Sequence, residues 1–312
     1  MSLTHSHSGG SGAACAEKDA VSESAGVRRN TLHAYLFIAP FLLIYIVLLI
    51  LPLFGGVWIS LHDWEVVGSH RAFVGLANYA ALWDDDLFWI SVHNTLYFVC
   101  LSVPTMTALA LALALAVNRP TRFHGFMRGT FFASSVFSVS VVTLVWQMVL
   151  NADRGLLANL FRSLGLEPIS FLGDSFWAMP SLVAATLWWG VGLPMALFIA
   201  SLQQIPAELY EAAELDFSSR WTVLRRITLP AVKRTTVLVV VLQIVLQFQM
   251  FGQSQLMTKG GPDDSTRTIV QYIYETGFRD WQIGYAAAMA MMLFILMFAF
   301  SMLQLWLGRE EE

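Results

Sequence analysis

The chain has 312 residues, of which 56% are hydrophobic and only 13% are charged. An ordinary soluble domain is about one quarter charged, so this composition excludes a typical soluble enzyme and indicates a protein that lies in lipid. Two cysteines also exclude a disulfide-stapled scaffold. The net charge of −4 indicates nothing about partners, because it averages faces that lie in different solvents.

The first 31 residues are rich in Ser, Gly, Ala and His and contain almost no large apolar side chains. Such a segment cannot bury enough apolar surface to fold, so we predict a disordered cytoplasmic tail at 1–31. A membrane domain is predicted at 32–308, and a short cytoplasmic C-terminal tail at 309–312.

Six apolar windows free of Asp, Glu, Lys and Arg predict six transmembrane helices. A spanning helix needs about 20 apolar residues, and a charged side chain costs about 3 kcal/mol at the bilayer centre. Every window is at least this long and contains no formally charged side chain. The windows are 34–61, 88–117, 129–150, 177–202, 235–257 and 283–308. The predicted fold class is therefore an all-α, polytopic membrane protein.

The distribution of basic residues predicts the orientation of these spans. With six spans both termini lie on one side, together with the second and fourth loops. That side carries twelve of the 18 Lys and Arg residues. Basic residues favour the cytoplasmic side, so both termini are predicted to be cytoplasmic.

The fourth loop, residues 203–234, is long enough to fold. Pro206 can open a short helix, and the helix formers that follow it carry acidic residues near the favourable N-terminal end. After a turn, Trp221, Leu224 and Ile227 recur at intervals of three and predict a second, amphipathic helix that Pro230 closes. We therefore predict a helix–turn–helix element on the cytoplasmic side.

The same loop resembles the EAA loop of ABC importer permeases. The resemblance implies that it inserts into a cleft of an ATPase subunit, where the glutamate contacts a basic residue. It also implies the six-helix fold of a type I ABC importer permease with a cytoplasmic coupling-helix loop. The residues that carry it are Glu211, Ala212, Ala213, Asp216, Ile227, Leu229 and Pro230.

Phe217 departs from the family pattern, which usually has glycine directly after the aspartate. A turn that required a positive φ would strain a phenylalanine. Two interpretations stay open: the turn differs from that of the family, or Phe217 adds an apolar contact to the ATPase.

A second resemblance, to carbohydrate-uptake permeases related to the maltose transporter, covers about residues 34–308. It lies in the stretches 248–253, 257–262, 265–268 and 284–288, and this chain is similar to the F-type subunit. The resemblance implies a second permease subunit of the G type, a dimer of ATPase subunits and an extracytoplasmic sugar-binding protein as partners. It also implies a bacterial or archaeal cytoplasmic membrane, and no nucleic-acid partner is expected.

Polar side chains in the apolar windows predict the substrate pathway. Amides are costly in hydrocarbon unless they form hydrogen bonds, and amides beside aromatic rings suit the hydroxyl groups and CH faces of a sugar. Hydrogen bonding between helices is the alternative role for each glutamine. The candidates are Gln243, Gln247, Gln249, Gln253, Trp188, Trp189 and Tyr97. For the binding protein, the candidate docking loops are 84–86 and 259–279.

Three other functions are alternatives to a sugar-importer permease. A permease for glycerol phosphate or another polyol stays open, although no Arg or Lys lies in the windows. A stand-alone secondary transporter would favour intramembrane ionisable groups or inverted repeats, and neither is evident. A membrane enzyme is disfavoured because His62 and His93 lack a companion cluster of acids or cysteines. The sequence has no GxxxxGK[ST] phosphate loop, so ATP and Mg²⁺ are expected on a partner ATPase and no cofactor in this chain.

Overall fold

The computed structural model describes residues 37–65, 71–119, 121–216 and 219–309. The tail predicted at 1–31, Phe217 and residues 310–312 lie outside these ranges. The chain divides into two compact units, residues 1–58 and 59–312. The described part of the first unit is one long helix, α1 (Phe37–Ser60), which continues two residues into the second unit. A π-helical turn at Ile46–Ile50 ends two residues before Pro52, which has no N–H to donate to the helix.

The second unit begins with a short hairpin, which adds two strands to the otherwise helical fold. Strands β1 (His62–Trp64) and β2 (Arg71–Phe73) pair antiparallel, with Asp63 opposite Ala72. The helices that follow are α2 (Ala77–Trp83), α3 (Asp86–Val117), α4 (Arg122–Ala133), α5 (Val139–Leu150), α6 (Leu156–Ser163), α7 (Ser175–Gly190), α8 (Gly192–Leu202), α9 (Ala207–Leu215), α10 (Arg220–Ala231), α11 (Lys233–Phe248), α12 (Ile269–Tyr274) and α13 (Ile283–Arg309).

The prediction of six apolar spans is confirmed in number, but three of the spans are bent. Helices α1, α3 and α13 are each long and apolar enough to cross a membrane alone. The other three are helix pairs: α4 and α5 meet at 103°, α7 and α8 at 52°, and α10 and α11 at 65°. The windows 129–150 and 177–202, each predicted as one span, therefore each contain a helix break.

The window 235–257 is also interrupted, because α11 ends at Phe248 and a π-helical turn follows at Ser254–Thr258. Apolar composition does not show such breaks, since backbone can leave the helix at membrane depth wherever it is buried in protein or lines a cavity.

Helix α3 lies at the centre of the second unit and contacts α7, α8 and α11. Its buried face carries Met106, Ala110 and Ala114, none of which is exposed. Small side chains let neighbouring helices approach closely, which is the main source of helix association in lipid. Pro104 interrupts the backbone bonds of α3, and the hydroxyl of Thr107 donates to the carbonyl of Val103 at 2.8 Å nearby.

Candidate functional site

Three interrupted helices border a cavity of about 530 Å³ in the second unit. Its walls come from the α4–α5 break, the α7–α8 break, the last turns of α11 and the residues that follow α11. Broken helices at membrane depth are the usual way in which transporters build a substrate site, because freed backbone groups and polar side chains meet there. The lining residues are Ser135, Val139, Thr186, Trp189, Gly190, Leu193, Gln243, Leu246, Gln247, Gln249, Met250, Phe251, Gly252 and Gln253.

Hydrogen bonds hold two of these breaks together. The indole Nε1 of Trp189, near the end of α7, donates a hydrogen bond to the carbonyl of Phe137 at 3.0 Å. Phe137 lies in the break between α4 and α5, so this bond pairs a backbone carbonyl that the break leaves without a helical partner. In return, the hydroxyls of Ser134 and Ser135 donate to the carbonyl of Trp189 at 3.3 and 3.1 Å. Polar groups that the breaks release are thus paired, as buried groups in hydrocarbon must be.

Glycines allow these segments to touch. A Cβ on Gly192 would lie 2.8 Å from the carbonyl oxygen of Phe131 and 2.8 Å from the Cα of Phe132. A Cβ on Gly252 would lie 2.6 Å from a methyl group of Val139. Both distances are shorter than any normal carbon contact, so a larger residue at either position would push the breaks apart.

Two glutamines of α11 place amide groups on the cavity wall. Gln247 Nε2 donates to Gln243 Oε1 at 2.9 Å, and both side chains are buried in the protein. Their i, i+4 spacing puts them on one face of the helix. Within the described residues, Gln243 Nε2 and Gln247 Oε1 form no hydrogen bond. One donor group and one acceptor therefore stay available to a ligand.

The other two predicted glutamines lie beyond the end of α11. Gln253 is buried, and its Nε2 donates to the hydroxyl of Thr186 at 3.1 Å. Gln249 is exposed at the cavity wall. The structure therefore brings all four predicted glutamines to one cavity, and the role of each as a ligand contact stays a prediction.

The structure separates the three predicted aromatic residues. Trp189 lines the cavity, whereas Trp188 is 47% exposed and packs edge-on against Trp146 at 6.3 Å between ring centroids. Consecutive helical residues point about 100° apart, and here Trp188 points toward Trp146 while Trp189 lines the cavity. Tyr97, on α3, is 42% exposed and does not line it either.

Phe251 lines the cavity and was not predicted to do so. Phe251 belongs to the stretch 248–253, which carries the resemblance to carbohydrate-uptake permeases. The sequence of that stretch does not show that α11 ends at Phe248.

The lining chemistry suits a neutral, hydroxyl-rich ligand. Amide and hydroxyl groups supply donors and acceptors, and Trp189 and Phe251 supply aromatic faces. No acidic or basic side chain is among the lining residues. In the parts of the chain that the structure describes, no cluster of His, Cys, Asp and Glu could hold a metal ion.

Helices α9 and α10 follow α8 and are the two short helices predicted in the fourth loop, residues 203–234. The hydroxyls of Tyr210 and Thr228 lie 3.3 Å apart and tie the two helices together. Ala213 is buried, Ile227 is half-buried, and Glu211, Ala212, Asp216, Leu229 and Pro230 are exposed. The apolar side chains of Leu215 and Trp221 are 79% and 68% exposed. Exposed apolar side chains beside charged ones are typical of a protein–protein contact surface.

At the other end of the unit, Asp85 joins three helices. Its Oδ1 caps α3 by accepting the backbone N–H of Leu87 at 2.9 Å, and its Oδ2 accepts the hydroxyls of Tyr272 and Tyr285, each at 2.7 Å. Burial alone raises the pKa of Asp85, but the hydrogen bonds from the two tyrosines and the helix N-terminus together bring that pKa below its usual value. Burial and the nearby carboxylate raise the pKa of Tyr272, so it stays a donor.

The segment 259–279, predicted as an exposed docking loop, is largely packed into the protein. Thr266, Thr268 and Gln271 are fully buried, and Arg267 pairs with Glu275 at 3.4 Å. The amide of Asn94, on α3, donates to the carbonyls of Asp264 and Arg267 at 2.6 and 3.0 Å. These hydrogen bonds fold the segment against α3, and its role in docking the binding protein stays a prediction.

The chain resembles known transport proteins over most of its length. Residues 106–311 match the family described as binding-protein-dependent transport system inner membrane component. The probable ABC transporter permease protein YurN of Bacillus subtilis is 31% identical, and the match covers 91% of this chain and 100% of YurN.

The trehalose/maltose transport system permease protein MalF of Thermococcus litoralis is 31% identical, with 90% of this chain and 95% of MalF covered. Among solved structures, a chain of a bacterial alginate ABC transporter, in complex with alginate pentasaccharide-bound periplasmic protein, superposes with a TM-score of 0.81. Its sequence identity is 20%, and the match covers 92% of this chain and 96% of that one. At this identity the likeness shows the fold.

Proposed function

Since the chain belongs to the family of binding-protein-dependent transport system inner membrane components, we propose that it forms half of the sugar pathway in an ATP-driven importer. It is an integral membrane protein and a non-catalytic permease subunit. The cavity at the helix breaks carries this proposal, because its lining combines amides and aromatic rings without a charged side chain.

Relatives support a sugar as the substrate class. Besides the trehalose/maltose relative, the lactose transport system permease protein LacF of Rhizobium radiobacter is 30% identical over 93% of this chain. A phosphorylated polyol is a weaker candidate, because no basic side chain lines the cavity to pair with a phosphate.

The proposed assembly has four kinds of component. This chain pairs with a second permease subunit of the G type, and a dimer of ATPase subunits binds ATP and Mg²⁺. An extracytoplasmic binding protein delivers the sugar. The exposed apolar side chains of α9 and α10 support an ATPase contact, and the alginate transporter was solved with a periplasmic protein. We place the complex in a bacterial or archaeal cytoplasmic membrane with α9 and α10 in the cytoplasm.

The proposed mechanism is alternating access. ATP binding closes the ATPase dimer, and the ATPase moves residues 203–234, which we call the coupling loop. The helix breaks around the cavity then shift between inward-facing and outward-facing states. Interrupted helices suit such a change, because breaks bend more easily than a continuous hydrogen-bonded helix.

Glu211→Ala tests the coupling role. A charge-assisted contact in an interface contributes about 2 kcal/mol or more, so we expect severe loss of sugar uptake and of sugar-stimulated ATP hydrolysis in the reconstituted complex. Glu167→Ala, which changes an exposed glutamate outside the coupling loop, is the matched control and should behave as the wild type. Wild-type uptake by the Glu211 variant would refute the docking role.

A further inference from the structure

A second cavity, of about 430 Å³, lies between α4 and α8 and is open along one side of the second unit. We call it the α4–α8 groove. It does not share a residue with the cavity at the helix breaks. Its lining residues are Arg128, Gly129, Phe132, Met195, Ala196, Ile199, Ala200 and Gln203.

The groove has a polar end and an apolar end. Gln203 directly follows the last residue of α8, so it marks the end next to the α8–α9 connection. Gly192, at the start of α8, lies against Phe131 and Phe132 near the end of α4, so the two helices run antiparallel along the groove. Side chains lean toward the N-terminus of their helix, which points the long Arg128 side chain toward the Gln203 end.

Arg128 carries a charge that the described chain does not neutralise. Within the ranges that the structure covers, no side chain or carbonyl forms an ion pair or hydrogen bond with its guanidinium, which is only partly exposed. Arg119 and Arg122 add positive charge at the same end, and the groove lining has no acidic residue. An unpaired cation at a membrane-spanning helix is unfavourable, so an anion is the complementary occupant.

The rest of the groove suits a hydrocarbon chain. Gly129, Ala196 and Ala200 are small and form a shallow floor, while Phe132 is half-exposed at the side. A ligand with an anionic head and a long apolar tail matches both ends, and the surrounding bilayer supplies such molecules. Basic residues between transmembrane helices commonly bind anionic lipid headgroups.

We infer that the α4–α8 groove binds one anionic phospholipid. The phosphate oxygens accept hydrogen bonds from the Arg128 guanidinium and the Gln203 amide, and an acyl chain lies along Ala200, Ala196 and Phe132. Because Gln203 stands four residues before α9, the lipid lies at the base of the coupling loop.

Native mass spectrometry tests the site. The complex, isolated as it assembles in the cell, is placed in nanodiscs of phosphatidylglycerol and phosphatidylcholine in equal amounts and released into the gas phase. We expect one phosphatidylglycerol to be retained in preference to phosphatidylcholine. Arg128→Gln should lower that retention about fivefold, as expected for the loss of one basic contact.

Two further variants make the result decisive. Ala200→Leu fills the floor of the groove and keeps Arg128, so it should also lower retention, and it remains informative if Arg128→Gln does not fold. Arg154→Gln is the matched control, because Arg154 is exposed, does not line the groove and lies outside α4.

Three results would overturn the inference. These are equal retention of both lipids by the wild type, unchanged retention in both groove variants, or capture of the partner permease by a photo-crosslinker at Phe132 in the lipid's place.

Discussion

Single residues set both the chemistry of the cavity and the spacing of its walls. Gln243 and Gln247 share one hydrogen bond, and Gln243 Nε2 and Gln247 Oε1 have no partner among the described residues. This bond lies within α11, so it is not the bond between helices that was the alternative to ligand binding, and the role of both amides as ligand contacts stays a prediction.

Gln247→Ala is expected to weaken the response to sugar. One neutral hydrogen bond contributes about 1 kcal/mol, so the sugar concentration that gives half-maximal stimulation of ATP hydrolysis should rise about fivefold in proteoliposomes. Gln282→Ala removes an exposed amide that does not line the cavity and serves as the control. An unchanged sugar dependence would remove Gln247 from the substrate pathway.

Gly192→Ala is expected to destabilise the protein. The added methyl group would overlap the backbone of Phe131 and Phe132, which cannot rotate away, and overpacking of this kind costs about 1–3 kcal/mol. Gly125→Ala is the control, because nothing lies within 4 Å of its Cβ position and alanine favours a helix. Thermal unfolding in detergent should show a lower midpoint for the first variant and an equal or higher one for the second.

Helix ends and helix breaks connect elements of the second unit through polar side chains. The α4–α5 and α7–α8 breaks exchange hydrogen bonds, and the N-terminus of α3 is joined through Asp85 to α12 and α13. These contacts use side chains that cap or interrupt helices. Substitutions at helix ends should therefore disturb the unit more than substitutions on exposed helix faces.

Asp85→Asn is expected to lower stability at neutral pH. Asparagine still caps a helix, but it lacks the charge that makes the two tyrosine hydrogen bonds strong. Because folding lowers the pKa of Asp85, its stabilising contribution is present above about pH 4 and is lost as the pH falls through the lowered folded value.

The difference in unfolding midpoint between the wild type and Asp85→Asn should therefore narrow as the pH falls below about 4. Asp84→Asn, at the exposed neighbouring position, should match the wild type at every pH. A difference that is independent of pH would contradict the charge-based account.

At the scale of the whole molecule, the proposed orientation places the coupling loop and the α5–α6 connection on opposite sides of the membrane. The proposal rests on the distribution of basic residues. Both regions offer exposed positions, at Gln204 and Asp153.

Cysteine labelling in intact cells tests this orientation. In a background of Cys15→Ser and Cys100→Ser, a membrane-impermeant maleimide should label Asp153→Cys directly and Gln204→Cys only after the membrane is permeabilised. The reverse labelling pattern would place the coupling loop outside the cell and would exclude an ATPase contact at that loop.

Composition and spacing were enough to predict the membrane class, the number of apolar spans and the two helices of the coupling loop. Each of these depends on local properties: hydrocarbon excludes charge over about 20 residues, and helix periodicity repeats within a few turns. The glutamines that line the cavity were also predicted, because amides stand out in apolar windows.

Packing between distant segments decided the rest. The breaks within three spans, the separation of Trp188 from Trp189, and the burial of the segment around Gln271 depend on hydrogen bonds and close contacts between residues far apart in the chain. An apolar window looks the same whether its helix is straight or broken. The cost of the break is offset by partners that only the folded protein brings near, such as Phe137 and Trp189.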